Sequence, residues 1–162
     1  MRPVRSTTNL SSLCRRLISN AVGSGRSEDM LINPKRRGTV FVVDDDHAVR
    51  DSLRALLVAA GFETRVFASG GDFLREPRDD SSQCLVLDIR LPGGDGFEVL
   101  RQIRQGENPV PTIMITGHRH LASRARSMRV GALAVLEKPT RDDELLRLVE
   151  NAFDMSTRQS EA

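Results

Sequence analysis

Cysteine is scarce in this chain. Cys14 and Cys84 stand far apart and match no metal-ligand or redox spacing, so there is no disulfide framework to read. A reduced, cytoplasmic setting is the simplest reading. Long apolar runs are missing too, since no stretch approaches the ~18 residues of a membrane span. No internal repeat is visible. What remains is a chain of ordinary hydrophobic content, 39% over 162 residues. That is long enough for one domain with a proper core and too short for two comfortable ones.

An overall excess of one charge is also lacking, because the formal net charge of +2 conceals two opposite parts. Residues 1–37 hold eight basic residues and two acids, Glu28 and Asp29, a net +6; the remainder therefore carries −4. The total argues nothing about nucleic acid. Residues 1–37 form a basic leader with little patterned hydrophobicity. Only Leu10, Leu13, Leu17, Ile18 and Ala21 follow helical spacing, with Arg15 and Arg16 off that face. Composition favours a disordered leader, or coding sequence upstream of a true start at Met30. The alternatives are a partner-binding or membrane-surface helix and an organelle transit peptide.

From Thr39 a rhythm begins. "TVFVV" (39–43) is a short apolar, β-branched run suited to a strand buried on both faces. Val49, Leu53, Leu56, Leu57 and Ala60 then recur at helical spacing, and Gly61 ends that helix. "TRVF" (64–67) predicts a second strand, and Ser69 caps a short helix over 70–75. "CLVLDI" (84–89) is the third strand, followed by the turn-rich "RLPGGDG" and a helix marked by Phe97, Leu100 and Ile103. "TIMIT" (112–116) and "ALAVLE" (132–137) are the fourth and fifth strands, with a helix around 121–129 between them. Thr140 with Asp143 resembles a capping box opening the last helix, which carries Leu145, Leu148, Val149 and Phe153. Alternating strands and helices predict an α/β, doubly wound, five-stranded parallel sheet in the order 2-1-3-4-5, flavodoxin-like.

In such sheets the site lies beyond the carboxyl ends of the strands. The first strand ends in Asp44-Asp45-Asp46, the third in Asp88, the fourth in Thr116 and the fifth in Glu137-Lys138-Pro139. Each residue alone has a plain structural use: Asp44 or Asp46 as a helix cap, Asp88 in a turn, Thr116 at a strand end, Lys138 on the surface. Together, at adjacent strand ends ~4.8 Å apart, Asp44, Asp45 and Asp88 crowd one volume and require a cation. Oxygen ligands suit a hard ion such as Mg2+.

"FVVDDDHAVRDSL", "LVLDIRLPGGDGFEVL", "IMITGH" and "GALAVLEKP" resemble, in order, the four motif blocks of the response-regulator receiver domain of two-component signalling. "DIRLP" and "TGH" are similar to the subclass that usually carries a LuxR-type output domain. The resemblance covers about residues 38–154, leaving a short tail at 155–162. It implies that Asp88 is the phosphoacceptor, that Asp45 binds Mg2+ directly and that Asp44 supports it. It also implies the backbone carbonyl of Arg90 as a further metal ligand, with Thr116 and Lys138 on phosphoryl oxygens. In the family the bond before Pro139 is cis, which helps direct the lysine. The implied partners are a sensor histidine kinase and a downstream protein or phosphotransfer protein, with a phosphorylation-dependent homodimer as a further option. A signalling domain without separate substrate turnover is implied, so not an enzyme in the usual sense.

Two departures stand out. Many receivers place an aromatic two or three residues before the lysine, where this chain has Ala134, Val135 and Leu136. The chain also stops soon after the last helix with no helix-turn-helix pattern, so a single-domain regulator without direct DNA binding is expected. Two other readings stay open. One is a receiver-like module that binds proteins without phosphorylation. The other is a haloacid-dehalogenase-type phosphatase, which needs a further acidic pair, whereas Asp142, Asp143 and Glu144 fall at a helix start.

Overall fold

A computed structural model describes residues 37–78, 82–107, 109–117 and 121–160. The Leu10–Ala21 segment and His118 of "TGH" lie outside the described residues. The elements are β1 (Thr39–Val43), α1 (His47–Ala59), β2 (Glu63–Phe67), α2 (Gly70–Arg75), β3 (Gln83–Asp88), α3 (Gly96–Gln105), β4 (Thr112–Thr116), α4 (Leu121–Val130), β5 (Ala134–Glu137) and α5 (Asp142–Ser160). A small antiparallel hairpin, Arg90–Leu91 with Gly94–Asp95, sits between β3 and α3. The five main strands are all parallel, in the order β2-β1-β3-β4-β5.

Alternation along each strand sorts the core into two layers. Val40 and Val42 of β1 face the layer of Leu53 and Leu57 from α1 and Leu145, Val149 and Phe153 from α5. Phe41 and Val43 face the opposite layer, with Phe73 from α2 and Phe97, Leu100 and Ile103 from α3. A strand that is apolar at every position therefore feeds both cores, which is why β1, β3 and β4 read as continuous apolar runs.

Local chemistry fixes the helix ends. Asp46 caps α1, its Oδ1 accepting the N–H groups of Ala48 at 2.9 Å and Val49 at 3.4 Å. At the other end Phe62 N–H reaches Leu57 O at 3.1 Å and Gly61 N–H reaches Val58 O at 3.0 Å. That paired closure needs the left-handed turn Gly61 supplies at φ 92°. Ser69 caps α2 as expected, its Oγ accepting from Asp72 N–H at 3.2 Å. The start of α5 differs from the sequence reading. The first intrahelical bond of α5 runs from Leu145 N–H to the Arg141 carbonyl, so α5 opens at Asp142 rather than from a Thr140 cap. The helix continues through Ser160. Among the described residues no helix is long and apolar enough to cross a membrane.

Candidate functional site

The register of the sheet brings the ends of β1, β3, β4 and β5 together. Val43 pairs with Leu87, Asp88 with Ile115 and Thr116 with Glu137, so the residues just beyond them meet at one edge. Asp44 and Asp88 are buried there, at 2% and 6% exposure, while Asp45 is exposed at the rim. One carboxylate oxygen from each of these three lies within 4.8 Å of the others. Lys138 reaches in from the end of β5, its ammonium donating to Asp44 Oδ2 at 2.8 Å and to Asp88 Oδ2 at 2.9 Å. The backbone N–H of Lys138 also bonds the Thr116 carbonyl at 2.8 Å, tying the fourth and fifth strand ends together. The Lys138–Pro139 bond is cis.

The other carboxylate oxygen of Asp88 and of Asp44 is held by backbone. Asp88 Oδ1 accepts from Arg90 N–H at 3.1 Å, and Asp44 Oδ1 accepts from Asp46 N–H at 2.9 Å. The start of α3 closes on the same spot: Gly96 N–H bonds the Ile89 carbonyl at 2.8 Å, and a Cβ at residue 96 would come within 2.3 Å of the Asp88 carbonyl oxygen. Burial pushes the Asp88 carboxyl above the usual carboxylate range. The bonds from Lys138 and Arg90 pull it down without cancelling that, and the Asp44 charge adds to the rise. Burial works against the Lys138 charge, but its bonds to Asp44 and Asp88 outweigh this and raise it above an ordinary lysine. Three carboxylates thus stand near one ammonium, which leaves negative charge uncompensated. Closely set carboxylate oxygens suit a hard divalent cation, so the donor set fits Mg2+.

Comparison with known proteins identifies the family of the chain. Residues 40–150 match the response regulator receiver domain family. The chain belongs to that family. This receiver is 39% identical over 117 residues to the transcriptional regulatory protein FixJ of Bradyrhizobium diazoefficiens, covering 72% of this chain and 57% of FixJ. It is 36% identical to the DNA-binding transcriptional regulator NtrC of Escherichia coli strain K12, covering 78% of this chain but only 27% of NtrC. The solved response regulator StyR superposes with a TM-score of 0.71 at 38% identity, covering 76% of this chain and 63% of StyR. A CheY-like receiver domain protein from Methanospirillum hungatei JF-1 gives a TM-score of 0.67 at 28% identity, covering 75% of this chain and 98% of that one. The chain thus spans just over half the length of FixJ.

Within this receiver, the residues singled out from the sequence take three different positions in the acidic run. Asp44 points inward to Lys138, Asp45 sits at the rim and Asp46 turns away to cap α1. Asp88, Thr116 and Lys138 lie at the same edge, and Arg90 begins the hairpin that follows Asp88. Val135, standing where many receivers carry an aromatic, is buried in the layer of Met114 and Phe97. Among the described residues the acidic cluster is Asp44, Asp45 and Asp88; Asp142, Asp143 and Glu144 are exposed on the first turn of α5. Two contacts were not visible in the sequence. Arg50 Nη1 donates to the Asp44 carbonyl at 2.8 Å, and Arg126 of α4 lies 4.0 Å over the Phe97 ring and 3.9 Å from Asp95.

Proposed function

We propose that the chain is a phosphorylation-controlled signalling switch in which Asp88 accepts a phosphoryl group from a sensor histidine kinase. The observation that carries this is the convergence of Asp44, Asp45 and Asp88 within 4.8 Å, with Lys138 bonded to two of them. A carboxylate attacking phosphorus must approach another anion, so positioning and charge neutralisation do most of the work. Asp88 is held for that by Arg90 N–H on one oxygen and Lys138 on the other. Asp44, Asp45, Asp88 and the Arg90 carbonyl would hold Mg2+, which supplies positive charge to the phosphoryl oxygens. Thr116 and Lys138 would take further phosphoryl oxygens, Lys138 by shifting its bonds from carboxylate to phosphate.

The message would leave the domain as a conformational change read by a protein partner, a phosphotransfer protein or a second copy. FixJ and NtrC are longer chains named as transcriptional regulators, so they lend no support to the expectation of a single-domain protein without direct DNA binding. The test is mass spectrometry after incubation with a small phosphodonor and Mg2+. An acid-labile adduct of ~80 Da, one phosphoryl group, is expected in the wild type and absent in Asp88→Ala or after chelation. An adduct that persists in Asp88→Ala sinks the assignment. One observation favours a second reading: Val135 leaves no strand-five ring to couple the site to the surface. A module that binds partners without phosphorylation would give no adduct and unchanged partner binding in Asp88→Ala.

A further inference from the structure

We infer that Arg50 is a positioning residue for the acidic pocket, holding the Asp44–Asp46 turn in the shape a divalent cation requires. The inference rests on the metal-dependent reading above. Asp44 is fixed at four atoms. Its N–H donates to the Phe67 carbonyl of β2 at 3.2 Å, and its carbonyl accepts from Arg50 at 2.8 Å. Its Oδ1 accepts from Asp46 N–H and its Oδ2 from Lys138. The β1 ladder ends at Val43, and Asp44 is 2% exposed. Without Arg50 its carbonyl would therefore be a buried acceptor lacking that donor, a costly state.

The placement of the arginine is otherwise unfavourable. Arg50 lies in the first turn of α1, its own N–H bonded to the Asp46 carbonyl at 3.0 Å. A cation there opposes the helix dipole. It also stands beside a pocket meant for another cation. What offsets both is the bond across the turn, which keeps Asp44 inward and Asp45 at the rim. Two effects on metal affinity thus have opposite signs: the guanidinium charge repels the ion, whereas the bond preorganises its ligands. Outer partners that orient metal ligands typically govern affinity by 10–100-fold, and the charge of the half-buried Arg50 is partly screened by water. Preorganisation wins.

The experiment uses the full chain and Mn2+ as the probe, read by electron paramagnetic resonance. Arg50→Ala is expected to bind Mn2+ about tenfold more weakly than wild type. Arg50→Lys, which keeps the charge but loses the planar fork, should fall between them. In metal-free protein the Asp46 amide should exchange faster in Arg50→Ala. With a small phosphodonor, the Mg2+ half-saturation should rise while the rate at saturating Mg2+ holds, a split that a purely structural loss would not give. Equal or tighter Mn2+ binding by Arg50→Ala overturns the inference. If wild type binds no Mn2+, the metal-dependent reading fails, and exchange of the Asp46 amide alone decides whether Arg50 holds the turn.

Discussion

At the end of β3 the Asp88 carboxyl is raised by burial more than Lys138 and Arg90 can lower it, with the Asp44 charge adding to the rise. The folded protein therefore binds more protons than the unfolded chain just above the ordinary carboxylate pKa, and stability falls as pH rises through that window. Asp88→Asn removes the charge and leaves Lys138 its bond to Asp44. The metal-free variant should melt a few degrees above wild type at pH 7, and the gap should close in acid and in Mg2+; equal melting curves at every pH would refute this. Cys84 gives a second signature at the opposite end of the scale. It is fully buried beneath α1 and α5, and burial pushes its thiol up to about 12. The unfolded thiol ionises near 8.5, so stability should decline from there toward the folded value. Lys138 adds its own decline only higher, above the ordinary lysine range, because its pKa is raised too. Cys84→Ala should cost about 1 kcal/mol at neutral pH and flatten the onset of the alkaline decline. Urea titrations between pH 7 and pH 11 would show whether it does.

Elements whose two faces are both buried were the ones written plainly in the sequence. β1, β3 and β4 are apolar at nearly every position because each feeds two cores, and Asp88 and Thr116 stand at the carboxyl ends of β3 and β4. The strand-end rule is enough to bring Asp44, Asp45 and Asp88 to one edge, where their carboxylates cluster. Less was legible where one residue type serves several uses. Nothing in "DDD" tells which aspartate turns inward, which lies at the rim and which caps α1. The end of α5 is not legible because "MSTRQS" keeps no apolar stripe, yet the helix runs on to Ser160. Contacts such as Arg50 to Asp44 and Arg126 over Phe97 depend on the fold and leave no pattern of spacing. Glycine offers a paired test at the scale of helix placement. A Cβ at Gly96 meets backbone, the Asp88 carbonyl oxygen at 2.3 Å and Ile89 Cα at 3.0 Å, so α3 or the end of β3 must shift. Gly96→Ala should cost ~1–3 kcal/mol and lower phosphorylation. Gly71, inside α2, has nothing within 4 Å, so Gly71→Ala should stabilise by ~0.5–1 kcal/mol. Thermal melts of both decide the matter, and a harmless Gly96→Ala would mean α3 is not held by that approach.

For the whole molecule, the question is how a change at Asp88 reaches a partner. Val135 and Leu136 are already buried in opposite core layers, so no large ring on β5 can swing in when Thr116 moves. The part expected to move is then α4, which begins five residues after Thr116 in the sequence and is held toward the site by Arg126 over Phe97 and beside Asp95. That contact changes which arginines can serve an interface. Arg124 and Arg129 are exposed on α4, whereas Arg126 is engaged within its own chain. Across the surface made by α4, β5 and α5, Asp142 and Glu144 are exposed, and Asp143 bonds Arg141 at 2.9 Å. A second copy presenting the same surface would set arginines against these acids, an attraction weakened by salt. Residues 1–36 lie outside the described residues, so the sedimentation comparison is best made with and without them. A chain beginning at Arg37 keeps the bonds of that residue to Ala60 and Glu150, and its melting temperature should match the full chain. On the proposed reading, a coupling of ~1–3 kcal/mol between phosphorylation and association would correspond to roughly 5- to 150-fold tighter association. Beryllofluoride, which mimics the aspartyl phosphate, should therefore raise the sedimentation coefficient at low salt, less so at high salt, and Arg124→Glu with Arg129→Glu should abolish the rise. Identical sedimentation with and without beryllofluoride, together with unchanged amide exchange over residues 121–137, would show that the signal does not leave through this surface.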